Sequence, residues 1–297
     1  MQYTKGALTF ADQIALMTQR GLVIDNPELA TQYLRRVGYY RLMGYLFPLR
    51  TPGSDHFEAD STFGKAVEYY QFDQALRHLM LEAIGHIEVA VRTAVTYELA
   101  HAYGAFAHCD HLNLNETQAW HANWLDGVRY EVTRARETFI DHYRRKYDGY
   151  PDLPIWMASE VMSLGALSKL VKAMHGKDKW NVASHFGLAD VTFESWIHAV
   201  AVVRNICAHH GRLWNRVFGV RPKRPRSGSW QNMPHLIPND RSFFMLCVLH
   251  ALLSHTAIDV DRWRGSVNAI LRPLLADQSN LQRIGAPANW EFHPLWH

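Results

Sequence analysis

The chain has 297 residues, of which 48% are hydrophobic and 20% charged, and this balance excludes an intrinsically disordered protein. The formal net charge of +3 is small, so the distribution of charge says more about binding partners than the total does. The three cysteines, Cys109, Cys207 and Cys247, lie far apart and form no CxxC pair, which argues against a disulfide framework or a zinc ribbon.

Helical periodicity dominates and alternating strand patterns are scarce, so the expected fold class is all-α. The first helix is predicted to follow a Thr9 cap, and the second to begin at the pair Asn26-Pro27, because proline suits the first turn of a helix. Gly38 and Gly44 are expected to break or bend the pattern that follows. Helices are predicted at about residues 10–20, 26–37, 62–103, 117–146, 155–173, 178–186, 192–210, 242–257 and 260–275.

The longest predicted helix has two distinct faces. One is an apolar stripe typical of a helix packed against a core, made of Phe72, Leu76, Leu79, Ala83, Ile87, Ala90, Ala94 and Tyr97. The neighbouring face mixes aliphatic residues with four charged ones, which are Asp73, Arg77, Glu88 and Arg92. This mixture predicts a partly buried polar layer and not a solvated surface.

The sequence also suggests a division into domains and a location. Residues 1–60 are predicted to form an N-terminal helical region, and residues 61–297 the main helical domain. The longest apolar run, 243–253, is too short to span a bilayer, and the N-terminal residues lack the pattern of a secretory signal. We therefore expect a soluble, cytoplasmic protein that has no membrane partner.

Positive charge is concentrated between Ser195 and Asn239, where the sequence has no acidic residue. Seven basic residues fall there, Arg204, Arg212, Arg216, Arg221, Lys223, Arg224 and Arg226, together with Trp214 and Trp230. A one-sided basic segment with interleaved aromatics is typical of a nucleic-acid surface. On charge alone, the alternative is a solvated loop that binds no ligand.

Within this segment an arginine precedes a histidine by a spacing of four to six residues, which marks one group of metal-independent ribonucleases. The spacing by itself decides nothing, because the arginine and histidine content predicts about four such pairs by chance. The pairs present are Arg50–His56, Arg136–His142, Arg204–His209 and Arg204–His210.

The block "RNICAHHGRLWNR" (204–216) is distinguished by its context, since an apolar helical stretch leads to Arg204. Asn205 and His209 are four residues apart and therefore share a helix face. Histidine titrates near neutral pH and can move the proton of a 2′-hydroxyl or of a leaving oxygen, while arginine can bind a phosphate through paired hydrogen bonds. The residues alone also allow a helix end where Arg204 pairs with Glu88 or Asp73 and the histidines are structural.

A metal site made of Cys207, His209 and His210 is disfavoured, because adjacent histidines point about 100° apart on a helix. We expect no metal and no cofactor.

The chain also resembles a known family over several blocks in family-like order. These are "GYYRLMGYLFPLR", "FDQALRHLMLEAIGHIEVAVRT", "HYRRKY", "PIWMASEVMSLGALSKL" and "ESWIHAVAVVRNICAHHGRLWNR". They are similar to the abortive-infection proteins of bacteria, in the AbiD/AbiF-like branch, which are grouped with the HEPN superfamily of RNA-cleaving and RNA-binding helical domains. The likeness weakens over 104–130 and after about residue 240.

The resemblance implies a HEPN-like helical bundle over 61–297, with additional N-terminal and C-terminal helices, and a role in phage defence. It assigns metal-independent RNA cleavage through the 2′-hydroxyl to Arg204, Asn205 and His209, with His210 as the alternative histidine. An acidic residue on a preceding helix often supports the arginine in such proteins, and Glu88 is the first candidate and Asp73 the second. RNA contacts are expected from Arg212, Arg216, Arg221, Lys223, Arg224, Arg226 and His210.

The resemblance also implies partners. HEPN sites usually form where two copies face each other, so a homodimer is expected; Arg136–His142 is the alternative, as a second motif within one chain. A small structured noncoding RNA is a further expected partner. Two competing hypotheses are a noncatalytic RNA-binding sensor or scaffold, and a structural domain that serves dimerisation.

Overall fold

The computed structural model describes residues 2, 6–226, 230 and 237–297, and these residues form 13 α-helices and no β-strand. The all-α prediction is confirmed. The helices are α1 (Phe10–Gln19), α2 (Pro27–Arg36), α3 (Tyr39–Leu46), α4 (Phe63–Tyr103), α5 (Gln118–Arg134), α6 (Thr138–Lys146), α7 (Ile155–Val161), α8 (Leu164–Ala173), α9 (Gly176–Ser184), α10 (Asp190–Ala208), α11 (Ser242–Leu253), α12 (Val260–Leu275) and α13 (Ser279–Ile284).

The chain divides into two compact units, Met1–Arg77 and His78–His297. In the first unit, local hydrogen bonds begin the helices where the sequence predicts them. The Thr9 side chain accepts from the Asp12 N–H, and the Asp12 carboxylate accepts in return from Thr9. The Asn26 side chain accepts from the Leu29 N–H at 2.9 Å, ahead of the proline that opens α2.

The core of the first unit contains a cluster of polar side chains that hydrogen-bond to one another. It consists of Tyr45, Asp73 and Arg77, and we call it the Asp73 cluster. The Tyr45 hydroxyl donates to Asp73 Oδ2 at 2.7 Å, and the Arg77 guanidinium donates to the same oxygen. Asp73 is 0% exposed and Arg77 5%. Burial, together with the Asp73 carboxylate, raises the pKa of Tyr45, which keeps this phenol protonated.

The second unit surrounds two buried helices. Ten of the 12 residues of α11 are buried, and α10 packs against α8 and α9 through an apolar face. Polar atoms of the large aromatics are satisfied inside this core, since Trp263 Nε1 donates to the Leu79 carbonyl at 2.9 Å. The Glu88–Arg92 pair on α4, at 2.8 Å, is half-buried, as the mixed face of the long helix predicts.

Several predicted elements differ from the observed ones. Gly44 lies inside α3 and does not break it, whereas Gly38, with φ of +90°, precedes the helix as predicted. The predicted helix 155–173 is two helices, because Ser163 caps α8 by accepting from the Ala166 N–H at 3.1 Å. The predicted helix 117–146 is also two, α5 and α6. Tyr97, which we expected in the core stripe, is 55% exposed.

Candidate active site

Helix α10 carries the predicted catalytic residues at its C-terminal end. Its side chains Phe193, Trp196, Val200 and Val203 are fully buried, so the helix is fixed in the core of the second unit. Its last turn leaves the core, where Arg204 is half-buried and Asn205 is exposed. The apolar segment therefore presents polar side chains to solvent from a rigid support, as the sequence predicts.

The chain leaves α10 through a tight hydrogen-bonded exit. The His210 N–H donates to the Cys207 carbonyl at 3.0 Å, and the Gly211 N–H donates to the Ile206 carbonyl at 2.7 Å, which together form a Schellman motif. His210 occupies its left-handed position, with φ of +55°. A Cβ on Gly211 would lie 2.9 Å from Ile206 Cγ2 and 3.0 Å from the Ile206 carbonyl oxygen, so any larger residue here would force this exit to shift.

This exit separates the two histidines that spacing alone leaves equivalent. His209 has φ of −90° and ψ of 17°, and its N–H still donates to the Asn205 carbonyl at 3.0 Å. It therefore continues the helix on the face of Asn205, whereas the backbone at His210 has already turned away. Both imidazoles are exposed. Arg204 Nη1 donates to Asn205 Oδ1 at 3.1 Å, and we call these two residues together with His209 the α10 triad.

The two acidic candidates have other neighbours. Glu88 accepts from Arg92, and Arg92 also donates to the Met162 carbonyl at 3.0 Å. Asp73 belongs to the Asp73 cluster. Among the described residues, no carboxylate lies within ion-pair distance of Arg204, so support of Arg204 by Glu88 stays a prediction.

The other arginine–histidine pairs differ in their setting. Arg50 pairs with Asp55 at 3.1 Å and lies over the rings of Phe47 and Phe57, which gives it a structural role. Arg136 lies between α5 and α6, and His142 lies within α6, so this pair straddles the start of a helix. Only the pairs that begin at Arg204 combine a buried helix with an exposed polar end.

The basic segment is less uniform than its sequence. Arg221 pairs with Asp240 at 3.1 Å, immediately beyond the acid-free stretch. Arg224 donates to the Ile237 carbonyl and lies 5.7 Å from the Phe244 ring centroid. Arg216 donates to the Arg212 carbonyl at 3.4 Å. These contacts hold the segment in place, while Lys223 and Arg226 remain exposed. Residues 227–229 and 231–236 lie outside the described part.

Trp214 cannot serve as a stacking surface because it lies in the core, and this corrects the sequence interpretation at that position. Trp214 is fully buried and donates from Nε1 to Asn280 Oδ1 at 3.1 Å. The Trp230 ring packs 5.1 Å from that of Trp196 and 5.5 Å from that of Phe244. Both indole rings therefore pack against other side chains of the protein. A basic segment with tryptophans does not by itself show which of these side chains point inward.

A cavity of about 570 Å³ begins at the α10 triad, since Asn205 forms part of its wall. It follows α10 alongside α8, and its lining includes Lys169, Lys172, His198 and Lys223. Of these, sequence reasoning identified only Lys223. The signal for the others was present but weak: Lys169 and Lys172 are three residues apart, and His198 precedes Asn205 by two helical turns.

The described residues contain no group of three or more histidine, cysteine or acidic side chains placed to hold a metal ion. Cys207 is buried beneath the helix end, away from solvent. No helix in the described ranges is long and apolar enough to cross a membrane.

Comparison with known proteins identifies the family to which the chain belongs. A family model described as Abi-like protein matches residues 32–215, which is more than half of the chain and includes the α10 triad. No curated protein and no solved structure matches the chain. The chain thus belongs to the Abi-like protein family, which connects it with abortive infection, a bacterial defence against phage.

Proposed function

We propose that this protein acts in phage defence as a metal-independent RNA endonuclease, with the α10 triad as its active site. The observation that carries the proposal is the setting of Arg204, Asn205 and His209. They lie at the exposed end of a buried helix, joined by the Arg204–Asn205 hydrogen bond, with no described carboxylate to neutralise the arginine. In a buried arginine–carboxylate pair, the carboxylate would occupy the guanidinium donors and the pair would stabilise the fold. Arg204 has no such partner among the described residues, so its guanidinium can bind an anion.

The proposed reaction is transfer of a phosphate to the neighbouring 2′-hydroxyl. His209 accepts the hydroxyl proton, O2′ attacks the adjacent phosphorus, and the bond from phosphorus to the leaving 5′-oxygen breaks. The leaving oxygen takes a proton from a second acid, which yields a 2′,3′-cyclic phosphate and a free 5′-hydroxyl. Arg204 stabilises the charge that develops on the phosphate oxygens, and Asn205 orients Arg204 through their hydrogen bond.

The second acid is the reason that we also propose a homodimer. One chain supplies one α10 triad, and two copies facing each other supply two His209 side chains, one to accept a proton and one to donate it. This arrangement follows the HEPN-like character that the sequence suggests. The Arg136–His142 pair is a weaker source, because only its histidine lies on a helix, so the arginine and histidine of this pair do not share one rigid support.

The reaction class can be tested with purified protein and RNA in the presence of EDTA. We expect cleavage to persist without divalent metal, and the products to carry 2′,3′-cyclic phosphate ends. An RNA with 2′-deoxy nucleotides at the cleaved positions should resist. Loss of cleavage on adding EDTA, or cleavage of the deoxy-substituted RNA, would contradict the proposal.

The second candidate is an RNA-binding sensor or scaffold that does not cleave, working with a structured noncoding RNA. It is favoured by the exposed cations Lys223 and Arg226, which provide charge outside the triad. In that case RNA would bind with strong salt dependence and remain intact over long incubation.

A further inference from the structure

We propose that the cavity between α8 and α10 is a binding groove for single-stranded RNA that leads the strand to the α10 triad. The inference deepens the proposed function, on which it rests, by naming the form of RNA and a second set of binding residues. We call this cavity the α8–α10 groove. It lies wholly within the second unit.

The length of the groove suits a strand. Its wall follows one face of α10 from Val191 to Asn205, and at about 1.5 Å per residue this face is about 21 Å long. That distance accommodates on the order of six stacked nucleotides at about 3.4 Å each. Because Asn205 belongs to both the groove and the triad, a strand lying in the groove reaches the triad directly.

The charges of the groove suit a phosphate backbone. Lys169 and Lys172 are exposed, lie on one side of α8, and approach the groove together. Lys223 joins them from the loop after α10, whose backbone is fixed because the Lys223 N–H donates to Ser195 Oγ at 2.9 Å. No carboxylate in the described part of the chain lies within ion-pair distance of these three ammonium groups.

One carboxylate, that of Glu194, also lines the groove, and it already forms an ion pair within the protein. Lys179 donates to Glu194 Oε2, which neutralises the carboxylate within the protein. His198 lies one turn further along α10 and is exposed. The groove therefore keeps a net positive charge, which attracts an anionic strand.

The remaining lining favours unpaired bases over a duplex. Trp120 of α5 contributes a half-buried indole, stacked on Trp124 with ring planes 4° apart, and Val191, Ala201 and Val202 add apolar area. Bases of a single strand can pack on such surfaces, whereas a duplex buries its base faces internally and offers only phosphates, sugars and base edges.

The test is binding of a fluorescein-labelled 2′-O-methyl oligouridine of about ten nucleotides to the full-length protein, followed by fluorescence anisotropy over a salt series. This probe cannot be cleaved through the 2′-hydroxyl, so binding is measured independently of catalysis. For the double variant Lys169→Gln and Lys172→Gln, two lost phosphate contacts predict affinity roughly 25-fold lower at 0.1 M salt, with the slope of log K against log salt reduced by about 1.4. Trp120→Leu should lower affinity by about tenfold through lost stacking.

The matched control is the double variant Lys146→Gln and Lys177→Gln, which removes two exposed lysines of the second unit that lie outside the groove. We expect its affinity to stay within about twofold of the unmodified protein, because general charge loss has little effect at this salt. Equal losses of affinity for both double variants would contradict the proposed RNA-binding groove. The preference for a single strand would be contradicted if a duplex of the same length bound with the same affinity and the same dependence on Lys169 and Lys172.

Failure of the groove and failure of the proposed function give different results. If Lys169→Gln/Lys172→Gln binds and cleaves like the unmodified protein while cleavage still needs His209, the groove is wrong and the active site stands. If the oligonucleotide binds as predicted but no RNA is cut, the groove stands and the endonuclease proposal is wrong.

Discussion

The Asp73 cluster and the α10 triad are both polar groups on helices, yet their surroundings are opposite. Asp73 is fully buried, and its carboxylate accepts from Tyr45 and Arg77. In the triad, Asn205 and His209 are exposed, and Arg204 has a neutral amide oxygen as its hydrogen-bond acceptor. The first group uses its hydrogen-bonding capacity inside the protein, while the second keeps much of its capacity for a ligand.

The comparison shows how burial assigns roles to similar residues. An arginine beside a buried carboxylate fixes the fold, because removal of either partner leaves a charge without compensation. An arginine at a solvent-exposed helix end, beside a neutral side chain, stabilises little but can bind phosphate. Substitutions in the first group should therefore change stability, and substitutions in the second should change activity.

The largest stability effect is expected for Asp73→Ala. This change leaves the buried Arg77 charge without its carboxylate and should destabilise the first unit by about 3–5 kcal/mol. Urea unfolding followed by circular dichroism measures the effect. The control is Asp55→Ala in the same unit, whose side chain is 62% exposed and pairs with Arg20 and Arg50. We expect a loss of at most about 1 kcal/mol there. Similar losses for the two variants would contradict the distinction between buried and exposed pairs.

The next effect concerns a buried histidine that contrasts with the exposed His209. Burial lowers the pKa of His108 to about 4, and in the described structure its Nδ1 has no hydrogen-bond partner. Between the unfolded value near 6.5 and this folded value, the unfolded chain binds a proton that the folded chain does not. Stability should therefore be full above pH 6.5 and fall as the pH drops towards 4, by up to about 1.4 kcal/mol per pH unit.

His108→Gln should reduce this slope by the contribution of one histidine, while burial of His250, whose pKa is also lowered, leaves a remainder. The exposed His142→Gln serves as the control and should leave the slope unchanged. Urea unfolding at half-unit steps of pH measures both. An unchanged slope in His108→Gln would show that this histidine is not the group whose burial is linked to acid sensitivity.

A smaller effect is expected where the chain leaves α10. In Gly211→Ala the new methyl group would lie 2.9 Å from Ile206 Cγ2 and 3.0 Å from the Ile206 carbonyl oxygen. The exit from α10 must then shift, which should cost about 1–2 kcal/mol and lower RNA cleavage by displacing His209. Gly127→Ala is the control, because a Cβ there meets nothing within 4 Å in the middle of α5, and a gain of about 0.5–1 kcal/mol is expected. If Gly211→Ala cleaves RNA as fast as the unmodified protein, the backbone geometry after α10 does not determine the position of the catalytic histidine.

Much of the fold follows from local sequence signals. Thr9 and Asn26 cap the helices that they were expected to cap, and the apolar periodicity of α10 identifies the helix that carries the triad. The break between α5 and α6 carries no local sequence signal, since residues 131–140 contain no glycine or proline. Gly44 lies inside α3, because tertiary packing tolerates a glycine inside a helix at a modest cost.

The site was only partly predictable, since a sequence pattern does not specify which distant residues meet. The triad follows from one continuous block, whereas the α8–α10 groove combines Trp120, Lys169 and His198 from three helices. The acid-free segment likewise did not reveal that Asp240 pairs with Arg221, or that Trp214 is buried. Long-range packing decides which charges remain available to a ligand.

The most direct test of the central claim compares three histidine variants in one RNA cleavage assay, with RNA binding measured in parallel. His209→Ala should lower the rate by about 10²–10⁴-fold while RNA affinity changes little, because the lost group transfers a proton and contributes little to binding. His210→Ala and His142→Ala should each retain most of the activity, since one lies beyond the turn at the helix exit and the other lies within α6. Cleavage by His209→Ala at the rate of the unmodified protein would contradict the assignment of the α10 triad as the active site.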